Sequence, residues 1–147
     1  MNKINSYKEL LVWQNAMELV ILVYDLTKTF PDSEKFGLVN QMTRAAVSIP
    51  TNIAEGWGRA SRKSYIQFLR ISRGSIMELE TLLELSNKLG FVEEGKMNSI
   101  LDKIETTSKL LQGLIKKLEE KELQQTTTSF VEQNGNSKYL EKARCCL

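Results

Sequence analysis

Five of the six arginines in this 147-residue chain lie between Asn40 and Glu80, and arginine at that density has a narrow chemical repertoire. A guanidinium stays charged and presents a planar fork of donors that matches phosphate or carboxylate. From Arg44 to Arg73 the chain has six bases, Arg44, Arg59, Arg62, Lys63, Arg70 and Arg73, against the single acid Glu55. The residue types therefore point to anion binding rather than to proton transfer. Read as a helix, Gln41, Arg44, Ser48, Asn52, Glu55 and Arg59 recur every three or four residues as one polar stripe. Met42, Ala46, Ile49, Ile53 and Trp57 form an apolar stripe beside it. On the helix that follows, placing Arg62 at 0° puts Arg73 at about 20°, Arg70 at about 80° and Lys63 at about 100°. Ile66 and Met77 fall inside that basic arc, and apolar residues among bases mark a contact surface.

Three readings of the arc stand side by side. It is a solvated helix face; or it meets nucleic-acid phosphates, with Trp57 or Tyr65 available for stacking; or it meets acid-rich helices of a neighbour in a head-to-tail ring. The last two are compatible. Enzymatic chemistry has little to build on. The chain has no histidine, which removes the Glu-x-x-His pairs of di-iron bundles, and no cysteine falls within the predicted core, so neither metal nor cofactor is expected. Glu55 is the one carboxylate placed to act as a base. Arg59 four residues on and Arg44 on the same stripe favour an ion pair there instead. Gly56-Trp57-Gly58 is too short to cradle a phosphate.

The elements that must hold these residues are helical. Only two prolines and eight glycines interrupt the chain, and apolar residues keep a three-to-four spacing in four segments. The first helix is predicted from Lys8 to Thr29, with Leu10, Trp13, Met17, Val20, Tyr24 and Thr27 on its main face. Leu11, Val12, Ile21 and Val23 widen that face enough to suggest burial on two sides. Asp32 or Ser33 is expected to cap a second helix running to Gly56 or Gly58, kinked at Pro50. A third runs from Arg62 to Lys88 and closes at Gly90, with Gly74 and Ser75 implying close approach of another backbone near its middle. The fourth opens at Glu93-Glu94, and its period fails beyond Leu123. The expected fold is all-α, an antiparallel up-down-up-down four-helix bundle over residues 1–122, with 123–147 a disordered tail.

Charge is segregated along the chain. Residues 1–43 carry four bases and five acids, whereas residues 74–122 carry seven bases and ten acids, so a basic middle is flanked by mildly acidic ends. A polyanion or a second copy of the chain would both fit. No apolar run reaches the roughly 20 residues of a membrane span, and the first residues lack a secretory apolar region, so a cytoplasmic location without membrane partners is expected. Cys145 and Cys146, adjacent near the C-terminus, are expected to be reduced.

The succession LLVWQNAMELV, FPDSEKFGLVNQMTRAAVSIPTNIAEGWGR and SYIQFLRISRGSIMELETLLELSNKLGF resembles the bacterial four-helix bundle family first met in intervening sequences of 23S ribosomal RNA. That family was formerly labelled ribosomal protein S23, and the resemblance covers about residues 7–121. More distantly the chain is similar to the accessory variability determinant protein of diversity-generating retroelements, a basic pentamer that works with a reverse transcriptase and nucleic acid. The resemblance implies a four-helix fold, homopentamers, RNA or single-stranded DNA as ligand, and a protein partner such as a reverse transcriptase. It transfers no catalytic residue.

Overall fold

In the computed structural model, which describes residues 3–134, four helices follow one another with short links: α1 (Leu11–Thr27), α2 (Leu38–Trp57), α3 (Arg62–Lys88) and α4 (Glu94–Asn134). Each packs on the next, and α1 closes the ring of contacts against α4. The architecture is the expected all-α four-helix bundle. Side chains of all four helices meet along its axis: Leu19, Val23 and Ala16 from α1, Met42, Ile49 and Ile53 from α2, Leu69, Ile76, Leu79 and Leu83 from α3, and Ile104 and Leu111 from α4, all buried. Each fully buried leucine or isoleucine contributes roughly 1.5–3 kcal/mol relative to exposure.

Helix ends follow local chemistry. Ser61 caps α3, its Oγ accepting the Ser64 N–H at 3.1 Å. At the other end Gly90 adopts φ +79°, while its N–H donates to Asn87 O and the Phe91 N–H to Ser86 O, at 2.9 and 3.0 Å. This reversed pair of bonds satisfies two terminal carbonyls and needs a residue tolerant of positive φ. The start of α2 differs from expectation. Asp32–Glu34 form a separate 3-10 turn, and Gly37 precedes α2 with no side-chain cap. Glu34 instead reaches forward, its carboxylate accepting the Leu38 N–H at 3.2 Å. The helix thus begins just over a turn later than Asp32 or Ser33 would have placed it.

Pro50 sits inside α2, which continues through it. Proline cannot donate to the carbonyl four residues back, and the neighbouring carbonyls find side-chain donors. Thr51 Oγ1 donates to Val47 O at 2.7 Å, Asn52 Nδ2 to Ser48 O at 2.8 Å, and the buried Ser72 Oγ of α3 to Ile49 O at 2.9 Å. The last of these ties α3 to α2 at the proline.

Two expectations are corrected by packing. In α1 the buried residues are Val12, Ala16, Leu19, Val23, Leu26 and Thr27; of the predicted main face, Leu10 and Thr27 are buried and Trp13 and Val20 pack half-buried against the core, whereas Met17 and Tyr24 are not covered. Met17, Ile21 and Tyr24 are exposed, Ile21 by 61%. A helix apolar nearly all round offers no unique face, and small Ala16 lets the partners approach on its own side. In α4 the helix does not stop where its apolar period fails. Propagation costs far less than nucleation, and residues 123–134 contain neither proline nor glycine. Thr126, Thr127 and Thr128 donate to the carbonyls of Glu122, Leu123 and Gln124 at 2.9–3.0 Å. With 41 residues against 27 in α3, α4 outruns its neighbour by about 20 Å. The rest of the predicted tail, with Cys145 and Cys146, lies outside the described residues.

Candidate nucleic-acid interface

The predicted basic arc divides in the structure. Arg62 and Arg70 turn toward α4 and meet acids there. Arg70 Nη2 lies 2.7 Å from Glu119 Oε1. Arg62 Nη1 donates to Gln125 Oε1 at 2.8 Å and lies 3.5 Å from Glu122 Oε2. Ile66 falls between the two arginines and is buried, whereas Met77, placed in the same arc, is exposed. The side of α3 carrying Arg62, Ile66 and Arg70 is therefore the seam with α4, and the groove along it is lined by Lys63, Gln67, Glu119 and Glu122 as well.

The remaining bases are free of carboxylates. Arg44, Lys63 and Arg73 are exposed, and none has an ion-pair partner among the described residues. Arg59 lies over the Phe68 ring, its Cζ 4.4 Å from the centroid, a cation–π contact that keeps its charge accessible. The predicted Glu55–Arg59 pair does not form, since α2 ends at Trp57 and Gly58 caps it. Helical four-residue geometry stops before Arg59, and Glu55 remains exposed without an ion-pair partner among the described residues.

The polar stripe of α2 splits in the same way. Gln41 and Arg44 are exposed, while Ser48 and Asn52 are half-buried against α3. Asn52 Nδ2 donates to Ser48 Oγ, and Ser75 Oγ of α3 lies 2.9 Å from that same hydroxyl. These residues thus join two helices. One turn further along α2, Gly56 lies close against α3: a β-carbon there would lie 2.6 Å from Tyr65 Cδ2 and 2.9 Å from Phe68 Cβ. Gly74, by contrast, faces open space, so nothing within the described chain explains a glycine in mid-helix.

Tyr65 stacks edge-on to Trp57 with centroids 6.3 Å apart. Its hydroxyl is buried without a hydrogen-bond partner, and burial pushes its pKa up to about 12. Neither ring is a free stacking platform. A phenol whose folded pKa exceeds its unfolded value stabilises fully below about pH 10 and loses that contribution as pH rises toward 12. Tyr65→Phe removes both the orphan hydroxyl, a cost of roughly 1–3 kcal/mol, and the alkaline transition. Thermal melts at neutral pH and at high pH should show the variant at least as stable as the parent, with a shallower loss above pH 10; a clearly lower melting temperature at neutral pH would reveal a partner for the hydroxyl.

Glu119, Glu122 and Gln125 are the site residues that sequence reasoning missed. The signal was present in their three-residue spacing, which sets them on one face of α4. No cluster of three or more histidine, cysteine, aspartate or glutamate side chains among the described residues is placed to hold a metal ion.

Residues 8–113 match the family model described as 23S rRNA-intervening sequence protein. The chain belongs to that family. Among solved structures, a protein of unknown function from the S23 ribosomal protein family of Bacteroides thetaiotaomicron VPI-5482 is similar, with 28% identity and a TM-score of 0.67. The match covers 71% of this chain and 95% of that one. A search among curated proteins returned no match. The matched family region holds all six candidate bases, whereas the Glu119 and Glu122 partners lie beyond it. No helix among the described residues is long and apolar enough to cross a membrane.

Proposed function

We propose that this 23S rRNA-intervening sequence family member is a non-enzymatic cytoplasmic bundle that forms a homo-oligomeric ring and binds RNA or single-stranded DNA through phosphates. The supporting observation is the set of cations, Arg44, Arg59, Lys63 and Arg73, that no carboxylate of the described chain neutralises. Unpaired arginines on a folded surface are suited to bidentate phosphate contact, and contacts to phosphate read no base identity. The family's name refers to 23S rRNA, which makes RNA the first ligand to try. Oligomerisation is supported by Met17, Ile21 and Tyr24, an exposed apolar stripe along α1, and by open Gly74 on α3. The pentamer is the subunit number carried by the family likeness.

Two measurements test this reading. Fluorescence polarisation with mixed-sequence single-stranded RNA and DNA is expected to show affinity falling linearly with salt on logarithmic axes, by about 0.7 for each phosphate neutralised. Absence of binding at low salt overturns it. Light scattering of the full chain is expected to return five times the 16.8 kDa subunit mass, and a monomer removes the ring. The exposed α1 stripe also favours a second reading, a protein-interaction scaffold with partners such as a polymerase. An oligomer that binds no nucleic acid would establish that one instead.

A further inference from the structure

We infer that Glu119 and Glu122 of α4 act as internal competitors for nucleic-acid phosphate, holding Arg70 and Arg62 in carboxylate pairs that a bound strand must displace. The inference rests on the proposed nucleic-acid reading and adds its regulation. Each pair uses one guanidinium nitrogen, Nη2 of Arg70 and Nη1 of Arg62, and the other nitrogens of both forks make no hydrogen bond to a carboxylate among the described residues. All four side chains are partly exposed, at 25% for Arg62 and 40–44% for the rest. Solvent-screened pairs of this kind are weak, so a phosphate that reaches the fork with two oxygens can replace a carboxylate that holds it with one.

The placement supports competition rather than simple structural pairing. Lys63 lines the same groove as Arg70, Glu119 and Glu122 and follows Arg62 directly in the chain, exposed and without an acid. A strand held by Lys63 is therefore delivered next to both arginines. The bundle itself does not depend on the pairs, since its core is a continuous set of buried apolar side chains.

The test is the Glu119→Gln, Glu122→Gln double variant of the full chain, assayed by polarisation with mixed-sequence single-stranded RNA. Glutamine keeps the shape and an acceptor oxygen but removes the charge that competes. A Glu93→Gln, Glu94→Gln control changes net charge equally at the opposite end of α4. The first variant is expected to bind roughly three- to tenfold more tightly than the parent at low salt, and the control less than twofold. Circular dichroism should show both variants as helical as the parent. Equal tightening in the two variants reduces the effect to net charge and overturns the inference. So does unchanged affinity in the first variant while the parent binds, which leaves the binding reading intact. If neither parent nor variant binds, the nucleic-acid reading falls and the inference falls with it.

Discussion

The Arg44→Gln, Lys63→Gln, Arg73→Gln triple variant is expected to bind single-stranded RNA about two orders of magnitude more weakly than the parent at about 0.1 M salt. These are three of the four bases left exposed without carboxylate partners, the fourth being Arg59 over the Phe68 ring, so each is available to a phosphate. Each single-strand contact contributes about 0.7 to the salt slope, and three together flatten it by about 2. Loss should be uniform across sequences, because phosphate contacts carry no base information. Melting temperature should hardly move, since none of the three side chains packs in the core. Arg62 and Arg70 are poor choices for this experiment. Both are already paired with acids of α4, so their replacement would change the charge of those acids' surroundings as well as the phosphate contacts, and a weakened affinity would have two causes. Gel filtration decides the rival reading: if the triple variant falls apart into monomers, the arginines serve subunit contacts and the phosphate assignment is wrong.

Gly56→Ala is expected to destabilise the chain by about 2 kcal/mol, although alanine normally improves a helix interior by roughly 0.5–1 kcal/mol. The sign reverses because the added methyl would sit 2.6 Å from the Tyr65 ring and 2.9 Å from Phe68 Cβ. Neither neighbour can give easily. Phe68 Cβ is fixed to the α3 backbone, and the Tyr65 ring is set against Trp57. For a domain of this size the melting temperature should fall by about 5–10 °C. Gly74→Ala supplies the contrast, since that position is open. Within a single chain it should stabilise by roughly 0.5–1 kcal/mol; loss of the oligomer on this substitution would place a neighbour's backbone there. A Gly56→Ala protein as stable as its parent would show that α2 and α3 are less closely packed than these distances state.

How much of this was legible beforehand depended on whether one helix or two had to be known. The limits of α3 follow from Ser61, Gly90 and an apolar face with one clear side, all local features, and Arg62–Lys88 is the helix observed. The apolar stripe of α2 was likewise readable, with Met42, Ala46, Ile49 and Ile53 buried as its period requires. In α1 the period failed to choose a face, because apolar residues surround the helix and only its neighbours decide which are covered. The end of α4 was missed for a related reason: amphipathic period reports burial, and a helix that projects beyond its partners has nothing to bury.

Sequence alone determined that this chain has a concentration of fixed positive charge in its middle, no imidazole, and four segments able to make a helical bundle. Those properties reside in residue identity and spacing, which survive any arrangement of the helices. Tertiary structure decided which charges are free. Glu119 and Glu122 stand 49 and 60 positions along the chain from Arg70 and Arg62, and only antiparallel packing of α3 on α4 brings them within reach. The expected Glu55–Arg59 pair had the right spacing and failed, because the helix carrying Glu55 ends before Arg59. Ion pairing falls steeply with distance in water, so a few ångströms set by packing determine whether an arginine faces a carboxylate, an aromatic ring or solvent.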